Sequence, residues 1–363
     1  MLYLLSYFSD FFGPFRLFEY VTFRAGGAAI TSFLIVLLLG RFVANALRSL
    51  NAMGAERLKD VMPPEMIDKE KSKTPCMGGI LIIGAVVISG ILWTKIASDV
   101  APVLIGGTAC FAVVGFIDDF MKVYYKNNAG LKGKYKFALL TLISSLILFA
   151  FSRSSVLGPI LHDFYVPFVK EPLFSSFFSL AFAVVVLVGS SNAVNLTDGK
   201  DGLASGCTIF CVLTYVVFCY LMSHKGFANY LSIPYIRGAE EAVVFGLAVC
   251  GACIGFLWHN CHPAIMFMGD TGSLALGGVV GMMAVLVRQE LLLVLVGFVF
   301  VMEAGSVIIQ VGCNKLFHKR PFRCTPIHHH FEYKNWTETQ IVVRFWIIAG
   351  ISSLLALATL KLR

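Results

Sequence analysis

The sequence predicts an all-α polytopic membrane protein, and its composition and its continuous apolar runs are the observations that predict it. Of 363 residues, 58% are hydrophobic and only 14% are charged, and the mean hydropathy is +0.80. A soluble domain could not bury so much apolar surface. A membrane β-barrel would need alternating apolar and polar residues, whereas these runs are continuously apolar. Because backbone polar groups in lipid must be satisfied internally, we expect a helical bundle.

About ten windows have the length that a helix needs to cross the hydrocarbon layer, roughly 17 to 25 residues. We find no internal repeat, low-complexity tract or linker that divides them, so a single integral membrane domain over 1–363 is expected. The windows cover approximately 28–47, 76–94, 101–117, 137–152, 175–191, 203–222, 242–258, 271–287, 291–312 and 342–360.

Lysine and arginine are concentrated in every second loop, and loops with this bias are usually cytoplasmic. This predicts that both termini lie outside and that these loops build the active site on the cytoplasmic face. The basic loops are 48–75, 118–136, 192–202, 259–270 and 313–341.

Two adjacent carboxylates, Asp118 and Asp119, follow the third apolar window in the string GFIDDFMKVYYK. Successive helical residues project about 100° apart, so both are not expected to face one ligand if the helix continues through them. One is expected to face a reacting centre while its neighbour orients loops or lysines. A charged helix end at the membrane interface is the alternative. The nearby lysines, including Lys122 and Lys136, could hold anionic lipid headgroups or attract a polyanionic substrate.

The loop 192–202 lies in the string NAVNLTDGKDGLA, which is rich in hydrogen-bonding side chains and in glycines that permit tight turns. Such a loop can hold a polar ligand. The alternative is structural, with Asp201 capping the next helix and Asp198 starting a turn.

The string FMGDTGS places Asp270 at the start of a helix. There it could bind Mg²⁺, which prefers oxygen ligands, or it could merely cap the helix. The neighbouring Gly269 and Gly272 predict a close backbone approach to an anion at the helix N-terminus.

The last basic loop contains three consecutive histidines, His328, His329 and His330, in the string TPIHHHFE. Neighbours in an extended chain point to alternate sides and rarely bind one ion together, so hydrogen bonding or phosphate contact is favoured over a transition-metal site. Within the ninth window, Glu303 must face the bundle interior and be functional or internally paired.

Together these strings resemble the polyprenyl-phosphate N-acetylhexosamine-1-phosphate transferase superfamily over nearly the whole chain, from about 71 to 334. The string TPIHHHFE is the most specific and favours members that use a muramoyl-pentapeptide donor. The chain departs from the family pattern at Lys73, Cys76 and Gly305, and at Lys200, where an apolar residue is usual. The other strings are DDFMK (118–122), NAVNLTDG (192–199), DGLA (201–204) and FMGDTGS (267–273).

The resemblance implies transfer of phospho-N-acetylmuramoyl-pentapeptide from UDP-N-acetylmuramoyl-pentapeptide to undecaprenyl phosphate. UMP would be released and the first lipid intermediate of peptidoglycan synthesis formed. It implies Mg²⁺ as cofactor, membrane lipids as partners, a homodimer, and a multi-pass position in the bacterial plasma (inner) membrane. We expect no nucleic-acid partner.

The resemblance also assigns roles to residues. Asp270 would be the main Mg²⁺ ligand, and Asp118 and Asp119 would place the lipid phosphate or complete the metal shell. Phe267 could stack on uracil. Positions that match the nucleotide and diphosphate site are Lys71, Asn195, Asp198, Asp201, Asn260, Phe267 and His329, with Lys122 and Lys136 as phosphate contacts and with His328 and His330 as loop organisers.

Three other functions compete with this one. A related transferase would use UDP-N-acetylglucosamine, but the triple histidine and NLTDG favour the muramoyl donor. An ion-coupled transporter would place its carboxylates near the membrane midplane, whereas these cluster at one interface. A membrane scaffold has no need for so many converging acids, histidines and lysines.

Overall fold

The computed structural model describes residues 1–50, 52, 74–125, 130–169 and 171–361. Within them the chain is a bundle of α-helices with one two-stranded antiparallel hairpin, Asp163–Phe164 paired with Phe174–Ser175, which confirms the all-α prediction. The helices are α1 (Val21–Ser49), α2 (Gly79–Trp93), α3 (Ala101–Tyr124), α4 (Gly133–Ser152), α5 (Leu157–Ile160), α6 (Phe177–Thr197), α7 (Leu203–Met222), α8 (Lys225–Leu231), α9 (Ala239–Asn260), α10 (Gly269–Leu286), α11 (Leu293–Val296), α12 (Phe298–Phe317), α13 (Ile327–Glu332) and α14 (Glu338–Ala358), with short 3₁₀ helices at Leu2–Phe8, Gly13–Glu19 and Thr359–Lys361.

Among the described residues, nine helices are long and apolar enough to cross a membrane, and α2 is a shorter apolar helix of 15 residues. Together they match the ten predicted windows in order. The window 291–312 is wrong as a single helix, because α11 ends before Gly297 and α12 begins after it. Glycine weakens a helix interior because of its conformational freedom.

Three of the predicted loops begin a turn or more later than expected, and one of them is 313–341, because α12 continues to Phe317. Helix α3 continues to Tyr124 and α6 to Thr197, so Asp118, Asp119 and Asn195 lie in helices. Hydropathy windows end at the first polar side chains, whereas the backbone hydrogen bonds continue for a further turn or more. These polar side chains therefore sit on rigid elements.

Helix α10 is the centre of the bundle. Each of its residues from Gly269 to Leu286 is buried, and its most extensive contacts are with α3 and α6. A helix that is buried on all sides belongs to the core. Asp270 lies in its first turn, so the central helix delivers this carboxylate to one end of the bundle.

Close backbone contacts fix the start of α10. A Cβ atom on Gly115 of α3 would lie 2.2 Å from the backbone oxygen of Asp270, and one on Gly79 of α2 would lie 2.1 Å from the nitrogen of Gly272. Small residues permit such approaches between membrane helices. Gly272 therefore packs against α2, and the predicted approach of an anion is not needed to explain it.

The first turn of α9, at the end of the bundle opposite Asp270, carries a buried ion pair. Arg24, in the first turn of α1, donates two hydrogen bonds of 2.8 Å to the carboxylate of Glu241, and the backbone nitrogen of Lys95 donates to the same carboxylate at 2.7 Å. Helices α1 and α9 share the most extensive interhelical contact in the described chain. The pair therefore joins the first turns of two closely packed helices.

Candidate active site

Asp119 caps the central helix from a neighbouring helix. Its carboxylate accepts hydrogen bonds from the backbone nitrogens of Asp270 (3.1 Å) and Thr271 (2.9 Å) and from the Thr271 hydroxyl (2.8 Å). The first N–H groups of a helix have no partner within it, and the helix dipole favours negative charge there. Asp119 provides both the hydrogen-bond acceptor and the negative charge that the start of α10 requires. The Asp270 side chain is therefore available for other contacts.

The Asp270 carboxylate meets side chains from three other helices. Lys122 of α3 and Lys136 of α4 each donate to its Oδ2 at 2.8 Å. Asn195 of α6 donates to Oδ1 at 2.9 Å and to the Ser273 hydroxyl at 2.8 Å. The alternative that Asp270 only caps its helix is therefore insufficient, because its side chain contacts three other helices.

Asp118 completes a cluster of three buried carboxylates with Asp119 and Asp270. It contacts the ammonium of Lys122 and accepts a hydrogen bond of 2.8 Å from the backbone nitrogen of Leu131. One oxygen from each aspartate lies within 4.8 Å of the others. The expectation that adjacent carboxylates would not share one centre is wrong, because α3 packs closely enough on the start of α10 for both side chains to reach it.

This cluster has the chemistry that a hard divalent cation requires. Carboxylate oxygens are the ligands that Mg²⁺ and Ca²⁺ prefer, and three of them converge here in a buried position. The neighbouring ammonium groups of Lys122 and Lys136 can attract phosphate. The arrangement can therefore hold a cation and a phosphate group side by side.

Asp201 lies in a second possible ligand group, with His262 and Glu338. Its Oδ2 lies 3.1 Å from Nδ1 of His262, and its backbone nitrogen donates to Glu338 at 2.9 Å. The alternative that Asp201 caps α7 is wrong, since Gly202 occupies the cap position without a side-chain cap. Asp201 instead ties the loop before α7 to the loop before α10 and to the start of α14.

Three other predicted residues have defined positions in the structure, and a fourth lies outside the described part of the chain. Asn260 accepts from the nitrogen of Gly202 at 3.0 Å and donates to the oxygen of Met266 at 2.9 Å, so its amide connects two loops. Phe267 is half-buried, and Asp198 ends α6. Lys71 is not among the described residues.

The three histidines lie in the short helix α13, so their interpretation as an extended run is wrong. Helical neighbours project about 100° apart, and each ring accordingly has its own contact. His328 Nδ1 lies 3.1 Å from Glu303, which gives that intramembrane carboxylate its internal partner. His329 Nδ1 lies 3.0 Å from Glu332, and His330 Nδ1 accepts from the backbone nitrogen of Arg323 at 3.2 Å.

Glu332 was not identified from the sequence, although it is three residues beyond His329 and such pairs are neighbours on a helix. Its other oxygen accepts a hydrogen bond of 2.7 Å from Lys200. Burial alone would raise the pKa of Glu332, but the hydrogen bonds from His329 and Lys200 outweigh burial and lower it to about 2. Burial is the main reason that the pKa of His329 is lowered, and Glu332 opposes that shift.

The fold and the site define a class of membrane enzyme, and comparison with known proteins identifies the family. Residues 101–288 match the model of Glycosyl transferase family 4, and the chain belongs to this family. It is a transferase embedded in a membrane by multiple helices. It is similar to the Phospho-N-acetylmuramoyl-pentapeptide-transferase of Methylacidiphilum infernorum (isolate V4), with 45% identity over 372 residues that cover 100% of each chain. The resemblance inferred from the motifs is confirmed.

Proposed function

We propose that this protein transfers phospho-N-acetylmuramoyl-pentapeptide from UDP-N-acetylmuramoyl-pentapeptide to undecaprenyl phosphate. UMP is released, and the first lipid intermediate of peptidoglycan synthesis is formed. The observation that carries the proposal is the junction of Asp118, Asp119 and Asp270 with Lys122 and Lys136 at one end of an apolar bundle. One substrate is a soluble polyanion and the other is a lipid phosphate, so the reaction needs charged groups where water meets the bilayer.

Mg²⁺ is the proposed cofactor, and Asp270 is its proposed main ligand. When bound, the ion neutralises charge on the phosphate oxygens during phosphoryl transfer. Asn195 fixes one carboxylate oxygen of Asp270 through a hydrogen bond of 2.9 Å. The cap that Asp119 supplies fixes the backbone of the same turn. These contacts hold Asp270 in a defined position before substrate arrives.

The remaining site residues divide into two proposed roles. Asp118 contacts the lysines and does not cap α10, so it is the better candidate of the adjacent pair for placing the lipid phosphate. Lys122 and Lys136 would attract and orient phosphate oxygens. The proposed nucleotide and diphosphate contacts are Lys71, Asn195, Asp198, Asp201, Asn260, Phe267 and His329, with His328 and His330 organising α13.

We further propose that the protein resides in the bacterial inner membrane as a homodimer, with the aspartate cluster facing the cytoplasm. The concentration of lysine and arginine in the loops at that end supports this orientation. A cytoplasmic site is also required by the donor, because a UDP-linked polyanion does not cross the bilayer unaided.

The test is a reaction with defined substrates. Purified protein in detergent is incubated with Mg²⁺, undecaprenyl phosphate and either UDP-N-acetylmuramoyl-pentapeptide or UDP-N-acetylglucosamine, and UMP and lipid-linked sugar are measured. We expect product from the muramoyl donor alone. Chelation of divalent ions with EDTA should abolish that product, and added Mg²⁺ should restore it.

Other outcomes would change the proposal in defined ways. Product from UDP-N-acetylglucosamine would keep the chemistry and overturn the donor. Undiminished product after exhaustive chelation would remove the metal from the reaction. An absence of UMP with both donors, for protein shown to be folded, would overturn the transferase assignment to these substrates.

A further inference from the structure

The loop after α6 docks on the histidine helix α13. A Cβ atom on Gly199 would lie 2.4 Å from Nε2 of His328, so the loop backbone passes directly against that ring. The next residue, Lys200, donates a hydrogen bond of 2.7 Å to Oε1 of Glu332. Two consecutive loop residues therefore contact the same short helix.

The contact between Lys200 and Glu332 extends to a third side chain, His329. The two oxygens of the Glu332 carboxylate are divided between them, since Oε1 accepts from Lys200 and Oε2 lies 3.0 Å from Nδ1 of His329. A carboxylate only accepts hydrogen bonds, so Nδ1 of His329 is the donor. The Lys200 side chain is only 6% exposed and that of Glu332 is 23% exposed. The contact is thus largely desolvated, unlike a surface ion pair.

We propose that Lys200 is a positioning residue for the transfer reaction: by pairing with Glu332, it holds the carboxylate that orients the His329 imidazole. This inference rests on the proposed function, in which His329 contacts the donor diphosphate. With Nδ1 engaged by Glu332, Nε2 is the ring nitrogen that meets substrate. Second partners of this kind are known to fix the tautomer and ring orientation of functional histidines.

The charges around His329 make this arrangement measurable. Burial lowers the pKa of His329, the hydrogen bond with Glu332 raises it, and the charges of His328 and Lys200 lower it further. His328 is itself paired with Glu303. Removal of Lys200 should therefore raise the pKa of His329, whereas removal of the Glu332 charge should lower it.

The experiment titrates His329 directly. The full-length protein, labelled at histidine Cε1 with ¹³C, is followed by NMR against pH, and the His329 signal is assigned by its loss in His329→Gln. In Lys200→Met we expect the midpoint to rise by about one pH unit, and in Glu332→Gln to fall by a similar amount. The matched control is Lys319→Met, which removes an exposed lysine and should leave the midpoint unchanged.

Activity provides the second measurement. Lys200→Met should lower kcat/KM for the muramoyl donor about 10- to 100-fold and move the limb of the pH profile that His329 sets to higher pH. Lys200→Arg should restore both. If Lys200→Met does not fold, the double variant Lys200→Met/Glu332→Gln removes both charges together and avoids a half-buried carboxylate without its ammonium partner. In that variant the two opposed shifts should largely cancel, so the midpoint should lie about one pH unit above that of Glu332→Gln.

The inference is overturned if Lys200→Met leaves both the His329 midpoint and kcat/KM for the muramoyl donor at their wild-type values. This failure is distinct from failure of the proposed function. An unshifted His329 midpoint with normal UMP release would reject only the positioning role of Lys200. Opposite shifts without transferase activity would reject the reaction and keep the network.

Discussion

The two ends of the bundle both bury ionic groups, but they balance charge differently. At one end each guanidinium is matched by one carboxylate: Arg24 meets Glu241 through two hydrogen bonds of 2.8 Å, and the buried Arg288 pairs with Glu290. At the other end, three aspartates among the described residues converge on two lysines, Lys122 and Lys136. Helix α9 has 22 residues and separates these ends by about 33 Å. The pair of Arg24 and Glu241 joins helices, whereas the acid-rich cluster is suited to hold a divalent cation.

The two clusters also differ in where their partners come from. The pair of Arg24 and Glu241 connects two helices at their first turns and is completed by a backbone nitrogen. The aspartate cluster draws side chains from α3, α4, α6 and α10. Convergence from four helices gives a defined geometry for several donors and acceptors, which is what a ligand site needs. Loss of one member should therefore affect function at one end and stability at the other.

The largest expected effect is at the aspartate cluster. Asp270→Asn keeps the shape of the side chain and removes its charge, so we expect UMP release to fall on the order of 10³-fold or more. The melting temperature in detergent should change little, because the cap on α10 is supplied by Asp119. Wild-type turnover in folded Asp270→Asn would remove this carboxylate as a metal ligand, and a parallel loss of folded protein would support a purely structural role.

At the opposite end of the bundle, a variant is expected to lose stability and to keep its turnover. Arg24→Met leaves the Glu241 carboxylate buried without its guanidinium, so the free energy of unfolding should fall by about 3–5 kcal/mol. The folded fraction should retain its turnover. The double variant Arg24→Met/Glu241→Met should recover much of the stability, since no unpaired charge remains. Thermal unfolding and UMP release per folded molecule together test the comparison, and lost turnover in folded Arg24→Met would refute it.

Packing at the start of α10 gives a smaller effect. Gly115→Ala would place a Cβ atom 2.2 Å from the Asp270 oxygen and force α3 and α10 apart, at about 1–3 kcal/mol. Gly106→Ala is the matched control on the same helix, because nothing lies within 4 Å of its Cβ position. We expect the control to be neutral or slightly stabilising. Equal melting temperatures for the two variants would contradict the tight contact.

The smallest effect is expected at Asp119, which is a member of the aspartate cluster and also caps α10. Asp119→Asn keeps one acceptor oxygen for the backbone of α10 and loses the charge that the helix dipole favours. We expect a loss of about 1 kcal/mol in stability. Turnover should fall about tenfold, because the cap fixes the turn that carries Asp270. Unchanged melting with a much larger loss of turnover would favour a direct role in the metal shell.

Much of the fold could be predicted because its signals are local. The apolar windows matched the helices in order, since hydrophobic length decides whether a segment can span a bilayer. Predicted ends were less accurate where polar residues entered a helix, as at Asp118, Asp119 and Asn195. The site was predictable in composition through its acids, lysines and histidines. Its contacts were not, and Glu332 was missed because the histidine run was interpreted as extended.

The sequence by itself determined a helical membrane protein, its family, and the residue types that the chemistry requires. Hydropathy, charge distribution and short motifs are properties of neighbouring residues, so they need no knowledge of packing. Only the tertiary structure decided which side chains meet. Asp119 caps a helix 151 positions away, and Lys200 reaches Glu332 across 132 positions. Such pairings depend on how helices pack against one another, and periodicity along one chain segment does not contain that information.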